Sequence, residues 1–155
     1  MWNVKQKYST SCGIACVAML AEKKHATVLN NAKYTFQERC FGKTTSYTNL
    51  DEIKTLLGNF GVSYQKDFKS IDKDIHSQKR FWRNLKGVNL VAVRFHIKDG
   101  TEYWHWIIAI RTENSLKIYD PNPQKKISCI DFVKGELPNQ KSYCHAKWYL
   151  KISQS

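Results

Sequence analysis

The sequence has no long hydrophobic run. Its longest apolar stretch, Trp104 to Ile110, contains His105 and stops well short of the ~18 residues a membrane-spanning helix needs. No apolar leader is expected, because Met1 to Thr10 is polar and the first apolar segment already carries two cysteines and a glycine. The expected location is therefore cytoplasmic, with delivery into another cell as an effector left open. Cys-x-x-Cys and His-x-x-x-His pairs are absent, so Cys12, Cys16, Cys40, Cys129 and Cys144 match no zinc template, and no metal or other cofactor is expected. An odd number of cysteines without a secretory segment points to reduced thiols. Acidic residues are scarce, 13 against 25 Lys and Arg, which leaves a net charge of +12. Repeats, linkers and low-complexity segments are also missing.

What remains is a chain of 155 residues with 42% hydrophobic residues, five Trp, eight Tyr and seven Phe. That much buriable area excludes disorder. A domain of this size buries roughly 68–70% of its unfolded surface, so residues 1–155 read as one domain that needs no disulfide or metal staple. The charge is uneven. Residues 1–47 carry +5, 48–65 carry −1, 66–86 carry +4, 87–116 are neutral and 117–155 carry +4. The neutral block is the expected sheet core.

Ser9, Thr10 and Ser11 offer N-caps for a helix from Cys12 to about Lys24, with Ile14, Val17, Ala18 and Ala21 at helical spacing and Lys23 and Lys24 in the last turn. A second helix is expected from Ala26 to about Arg39. A third starts at a capping box of Thr48 and Asp51, carries Leu50, Ile53, Leu56, Leu57 and Phe60, and ends at Gly61. Beyond Gly61 the pattern alternates. Strands are expected over Val91 to Ile97, Tyr103 to Arg111, Ser115 to Tyr119 and Lys147 to Ile152, with Asp120-Pro121-Asn122-Pro123 as a turn. Residues 40–47, 64–88 and 122–146 read as irregular loops that would set specificity. Helices first and an antiparallel sheet afterwards make an α+β domain.

Cys12 would stand at a helix N-terminus, where backbone N–H groups and the helix dipole stabilise a thiolate. Gly13 beside it would let a substrate approach without a Cβ in the way. A cysteine so placed is as often a small buried core thiol, and reactivity also needs a base. His105 can supply one, although histidines on apolar strands are commonly core residues. If residues 103–111 and 115–120 form a hairpin turning near Glu113-Asn114, Asp120 faces Ile107 and lies diagonal to His105, roughly 7–8 Å away. A carboxylate there can orient an imidazole; the plainer alternative is an Asp-Pro turn initiator. Gln6, six residues before Cys12, could aim its amide at a reacting carbonyl and form an oxyanion hole with the Cys12 N–H, or could be an ordinary solvated glutamine.

Together these residues resemble the papain-like C39 peptidase family and its stand-alone relatives. The resemblance rests on Gln6-Lys-Tyr-Ser-Thr-Ser-Cys12-Gly13-Ile-Ala15-Cys-Val-Ala-Met19-Leu, His105-Trp106 and Asp120-Pro121. Family members often carry Asp where this chain has Ser11. The resemblance implies a papain-like cysteine protease fold, with N-terminal helices on a C-terminal antiparallel sheet. It implies Cys12 as nucleophile, His105 as base, Asp120 as orienting carboxylate and Gln6 as oxyanion donor, with Gly13 and Trp106 near the substrate. The expected substrate is a peptide or protein and the expected state a monomer. Papain-like scaffolds also host glutamine deamidases and toxin domains. Basic residues interleaved with aromatics, Lys79-Arg80-Phe81-Trp82-Arg83 and Lys147-Trp148-Tyr149, raise an RNA-binding ribonuclease as an alternative. The basic surface would then select an acidic protein or a nucleic acid. Cys16, Cys40, Cys129 and Cys144 are expected to be structural, and His25, His76, His96 and His145 to be surface or satisfied histidines, with His145 as reserve base.

Overall fold

A computed structural model describes residues 3–8, 10–96, 102–121 and 145–153. They form two compact units, one running to Ser63 and including Asp120 and Pro121, the other holding Tyr64 to Tyr119 and the C-terminal strand.

The first unit contains α1 (Cys12–Ala21), α2 (His25–Thr35) and α3 (Leu50–Asn59). Every residue of α1 from Cys12 to Met19 is buried, as expected of a helix apolar all round. This helix stops three residues before the expected Lys24. Glu22 takes a left-handed conformation (φ 56°), and its N–H turns back to the carbonyls of Ala18 and Met19. Lys23 and Lys24 therefore lie outside the last turn, and Lys24 is instead the N-cap residue of α2. The second helix likewise ends at Thr35 and not near Arg39.

The capping box of α3 sits one residue later than the sequence suggests. Asn49 Oδ1 accepts the Glu52 N–H (2.8 Å) and Glu52 Oε1 accepts the Asn49 N–H (3.0 Å). Glu52 has a second task that no local pattern announces. Arg39 Nη1 donates to both its carboxylate oxygens (2.5 and 2.6 Å), while Arg39 Nη2 donates to the carbonyls of Thr45 (2.7 Å) and Tyr47 (2.6 Å). The guanidinium also stands 4.3 Å from the Phe41 ring centroid and 5.3 Å from that of Tyr47. Residues 40–47, expected to be an irregular specificity loop, are wrapped on this one side chain. Gly61 ends the helix as expected, at φ +71°, with the Val62 N–H returning to Leu57 O (2.9 Å).

The second unit is a five-stranded antiparallel sheet in the order β1-β5-β2-β3-β4. Its elements are β1 (Tyr64–Ser70), α4 (Ile75–Asn84), β2 (Gly87–His96), β3 (Glu102–Arg111), β4 (Leu116–Tyr119) and β5 (His145–Ile152). The neutral block supplies β2 and β3, the long paired strands, and the β3–β4 register sets Ile108 against Tyr119 and Ile110 against Lys117. This is the register anticipated for the hairpin. Residues 64–88, in contrast, are not an irregular loop. They hold β1 and α4, whose N-cap Asp74 accepts the Ser77 N–H (3.0 Å). Most of the stretch 122–146, with Cys129 and Cys144, lies outside the described residues, as does Ile97.

One α4 face packs Trp82 against Ile71, Leu85, Val91, Val93, Ile107, Ala109 and Ala146. Gln78, fully buried on the same helix, behaves like an extra strand residue. Its Nε2 donates to Ala146 O (2.8 Å) and Asp72 O (2.8 Å), and its Oε1 accepts the Ala146 N–H (2.7 Å). It acts where the β2–β5 register shifts between Ala92 and Val93, the kind of irregularity that leaves backbone groups without ladder partners. Arg94 adds a bond from Nη1 to Ala146 O (2.7 Å) and one from Nη2 to Ile71 O (3.2 Å). The aromatics of the two basic runs are packed as well. Phe81 lies 5.0 Å from Trp82 and 4.9 Å from Tyr149, Trp104 meets Trp148 edge-on at 5.1 Å, and Lys147 Nζ sits 4.9 and 4.7 Å from those last two rings. No helix among the described residues is long and apolar enough to cross a membrane.

Two stability outcomes follow. Arg39→Ala strips four hydrogen bonds to a charged group and should lower unfolding free energy in urea by about 2–3 kcal/mol. Gln78→Leu keeps the volume but leaves the Ala146 N–H buried without its partner, and should cost about 2 kcal/mol in the same measurement.

Candidate active site

Cys12 is the first residue of α1 and only 8% exposed. The N-cap position is Ser11, yet its side chain does not cap the helix, contrary to the expectation from the Ser9-Thr10-Ser11 run. Its backbone (φ −99°, ψ 26°) is not the extended form that aims a hydroxyl at the first-turn amides. No carboxylate occupies the first turn. The N-terminal dipole and amides of α1 thus act on the Cys12 end of the helix without an acidic side chain to offset them.

The loop before Cys12 is held by a compact set of bonds. Gln6 Nε2 donates to Tyr8 O (2.8 Å), and the Ser11 N–H and hydroxyl reach the same carbonyl (both 3.1 Å). The Tyr8 N–H donates back to Ser11 Oγ (3.0 Å). On its other side the Gln6 N–H donates to Pro121 O (2.9 Å), and Asn3 Nδ2 donates to Asp120 O (3.2 Å). The Asp120-Pro121 pair directly follows the end of β4 and anchors the N-terminal segment through its carbonyls.

Gln6, Cys12 and Asp120 therefore belong to one unit. The thiol of Cys16 registers two of them, Cys12 and Asp120. Burial first, then the charges of Cys12 and Asp120, push it well above the ordinary thiol range. Cys16 consequently stays protonated and does not compete as a nucleophile. Cys40, expected to be structural, is instead an exposed thiol.

His105 lies on β3 in the other unit, opposite Val93 and 4% exposed. It follows Trp104 and precedes Trp106, which is 1% exposed and packs against Phe68 with ring centroids 5.5 Å apart. Among the described residues no group of His, Cys, Asp and Glu is arranged to hold a metal ion.

One contributor escaped the sequence. His25, the first residue of α2, places Nε2 3.1 Å from Ser11 Oγ and 3.4 Å from the Lys7 backbone nitrogen. Burial, and then the Lys7 charge, lower its pKa from the ordinary 6.5. Ser11 precedes α1 and His25 opens α2, with the left-handed turn at Glu22 between them, so local spacing carries no signal for the contact.

Comparison with known proteins adds to this geometry. Residues 2–133 match the sequence profile of the Peptidase C39 family. No curated protein sequence matches the chain. The crystal structure of the Pseudomonas avirulence protein AvrPphB is similar, with a TM-score of 0.50 and 12% identity over 92% of each chain. The chain belongs to the Peptidase C39 family and is a cysteine peptidase with a papain-like α+β fold, acting on a peptide or protein.

Proposed function

We propose that Cys12 is the nucleophile of this peptidase, His105 its general base, Asp120 the carboxylate that orients His105, and Gln6 the side-chain donor of the oxyanion hole. The observation that carries the reading is the position of Cys12 as the opening residue of a helix buried from Cys12 to Met19, with the Gln6 amide tied to the same short loop at Tyr8 O. In the proposed course the Cys12 thiolate attacks the scissile carbonyl carbon, and the carbonyl oxygen takes up negative charge facing the Cys12 N–H and the Gln6 amide. The protonated His105 then gives its proton to the leaving amine as the C–N bond breaks. Water, deprotonated by His105, hydrolyses the thioester and restores the thiol. Gly13 puts no Cβ beside the nucleophile. Trp106, buried against Phe68, would serve by fixing the strand that carries His105.

The same attack on a glutamine side chain would deamidate it, so the products distinguish the two uses. Wild type, Cys12→Ala and His105→Ala proteins are incubated with a cell proteome, and the products are read by terminus-resolved mass spectrometry. New peptide termini confined to wild type are expected, with activity reduced at least 10³-fold in both variants. A one-dalton shift at glutamine without new termini would replace cleavage by deamidation. Iodoacetamide should label wild-type Cys12 faster than it labels a free cysteine peptide at the same pH, and a rate equal to that of the peptide would remove the basis for thiolate attack.

A further inference from the structure

We propose that His25 is a positioning residue for the oxyanion hole, acting through the Ser11 hydroxyl on the loop that carries Gln6. This rests on the reading of Cys12 and Gln6 given above.

The argument follows the bonds. Stabilising an oxyanion requires two donors, the Cys12 N–H and the Gln6 amide, aimed at one point before the charge develops. Five residues lie between them, and among the described residues of that loop none is in a helix or strand. Tyr8 O ties them together, because it receives the Gln6 Nε2–H at 2.8 Å and the Ser11 N–H at 3.1 Å. Ser11 is fully buried, immediately precedes Cys12, and exchanges bonds with both backbone groups of Tyr8. That hydroxyl is held in turn by His25 Nε2 at 3.1 Å. The chain of contacts from His25 through Ser11 and Tyr8 to the Gln6 amide is unbroken, and every step is within hydrogen-bond range.

The same nitrogen also lies 3.4 Å from the Lys7 backbone nitrogen. The Ser11 hydroxyl gives its single proton to Tyr8 O, so the tautomer that holds Ser11 is the neutral ring protonated at Nε2, which donates to Oγ. Burial and Lys7 keep the ring neutral. His25 Nδ1 is buried and has no hydrogen-bond partner, so the ring is not placed there to satisfy itself. Such a group is more costly than an apolar side chain of similar size unless its other nitrogen performs a task. The Ser11 hydroxyl can accept from a neutral imidazole while it donates to Tyr8 O.

The test uses a peptide cut by the wild-type enzyme in the proteome experiment. His25→Leu should lower kcat about ten-fold or more with KM within two-fold, since a misaligned donor acts on the transition state and not on binding. His25→Gln, whose amide can occupy the Nε2 position, should restore most of kcat. Iodoacetamide labelling of Cys12 needs a thiolate but no oxyanion hole, so its rate should change less than two-fold in His25→Leu. Gln6→Ala should show the same split, and the double variant should lose no more than Gln6→Ala alone. Ser11→Ala cuts the same link from the other side and covers the case in which His25→Leu does not fold.

A fall in labelling rate that parallels kcat, additive losses in the double variant, or an unchanged kcat would each overturn the proposal. Activity surviving in Cys12→Ala marks the separate failure of the underlying reading, and this inference falls with it.

Discussion

The burial of α1 on every side is the constraint from which the N-terminal unit follows. A helix whose residues from Cys12 to Met19 are all withdrawn from water has no amphipathic face to choose. Its ends must be closed by backbone and by neighbours. At the C-terminal end Glu22 closes it by turning left-handed, so that the chain can leave at once towards α2. At the N-terminal end the closing side chain is withheld. Ser11 spends its hydroxyl on Tyr8 and His25, and the first turn keeps its field for the cysteine that opens it. A helix capped in the usual way would be more stable by about 1 kcal/mol.

The polar side chains that matter most in both units are those that stand in for missing backbone partners. Arg39 gathers Glu52 and the carbonyls of Thr45 and Tyr47, turning a loop with no regular structure into a fixed one. Gln78 completes β5 at Ala146, where the ladder shifts register. Each is a polar residue whose desolvation is offset by bonds to groups that could not otherwise be buried. Neither belongs to the proposed chemistry. The basic surface, similarly, is carried by residues whose aromatic neighbours, Phe81, Trp82, Trp104, Trp148 and Tyr149, pack on one another.

Elements with a strong local rhythm were legible in the sequence. Three helices, the paired strands of the neutral block and the hairpin register appear where periodicity and the Glu113-Asn114 turn put them, because those signals depend only on near neighbours. The α4 helix was not legible. Its buried face rests on Gln78 and Trp82 with few other apolar residues, and the Lys79 to Arg83 run reads as a charged patch. Helix ends shifted by one to four residues: Glu22 closes α1 through its own backbone, and Asn49 with Glu52 caps α3 one residue later than Thr48 with Asp51 would.

The sequence by itself determined the order and type of the main elements, and it singled out Gln6, Cys12, His105 and Asp120. Those choices follow from periodicity, caps and motif spacing, all written within a few residues of each position. Only the tertiary structure decided that Ser11 faces away from its helix, that Cys16 is held protonated, and that His25 reaches the loop before the nucleophile. The physical reason is distance along the chain. A hydrogen bond between residues 11 and 25, or a desolvation set by a whole helix environment, depends on where folding brings remote segments, and no local pattern encodes it.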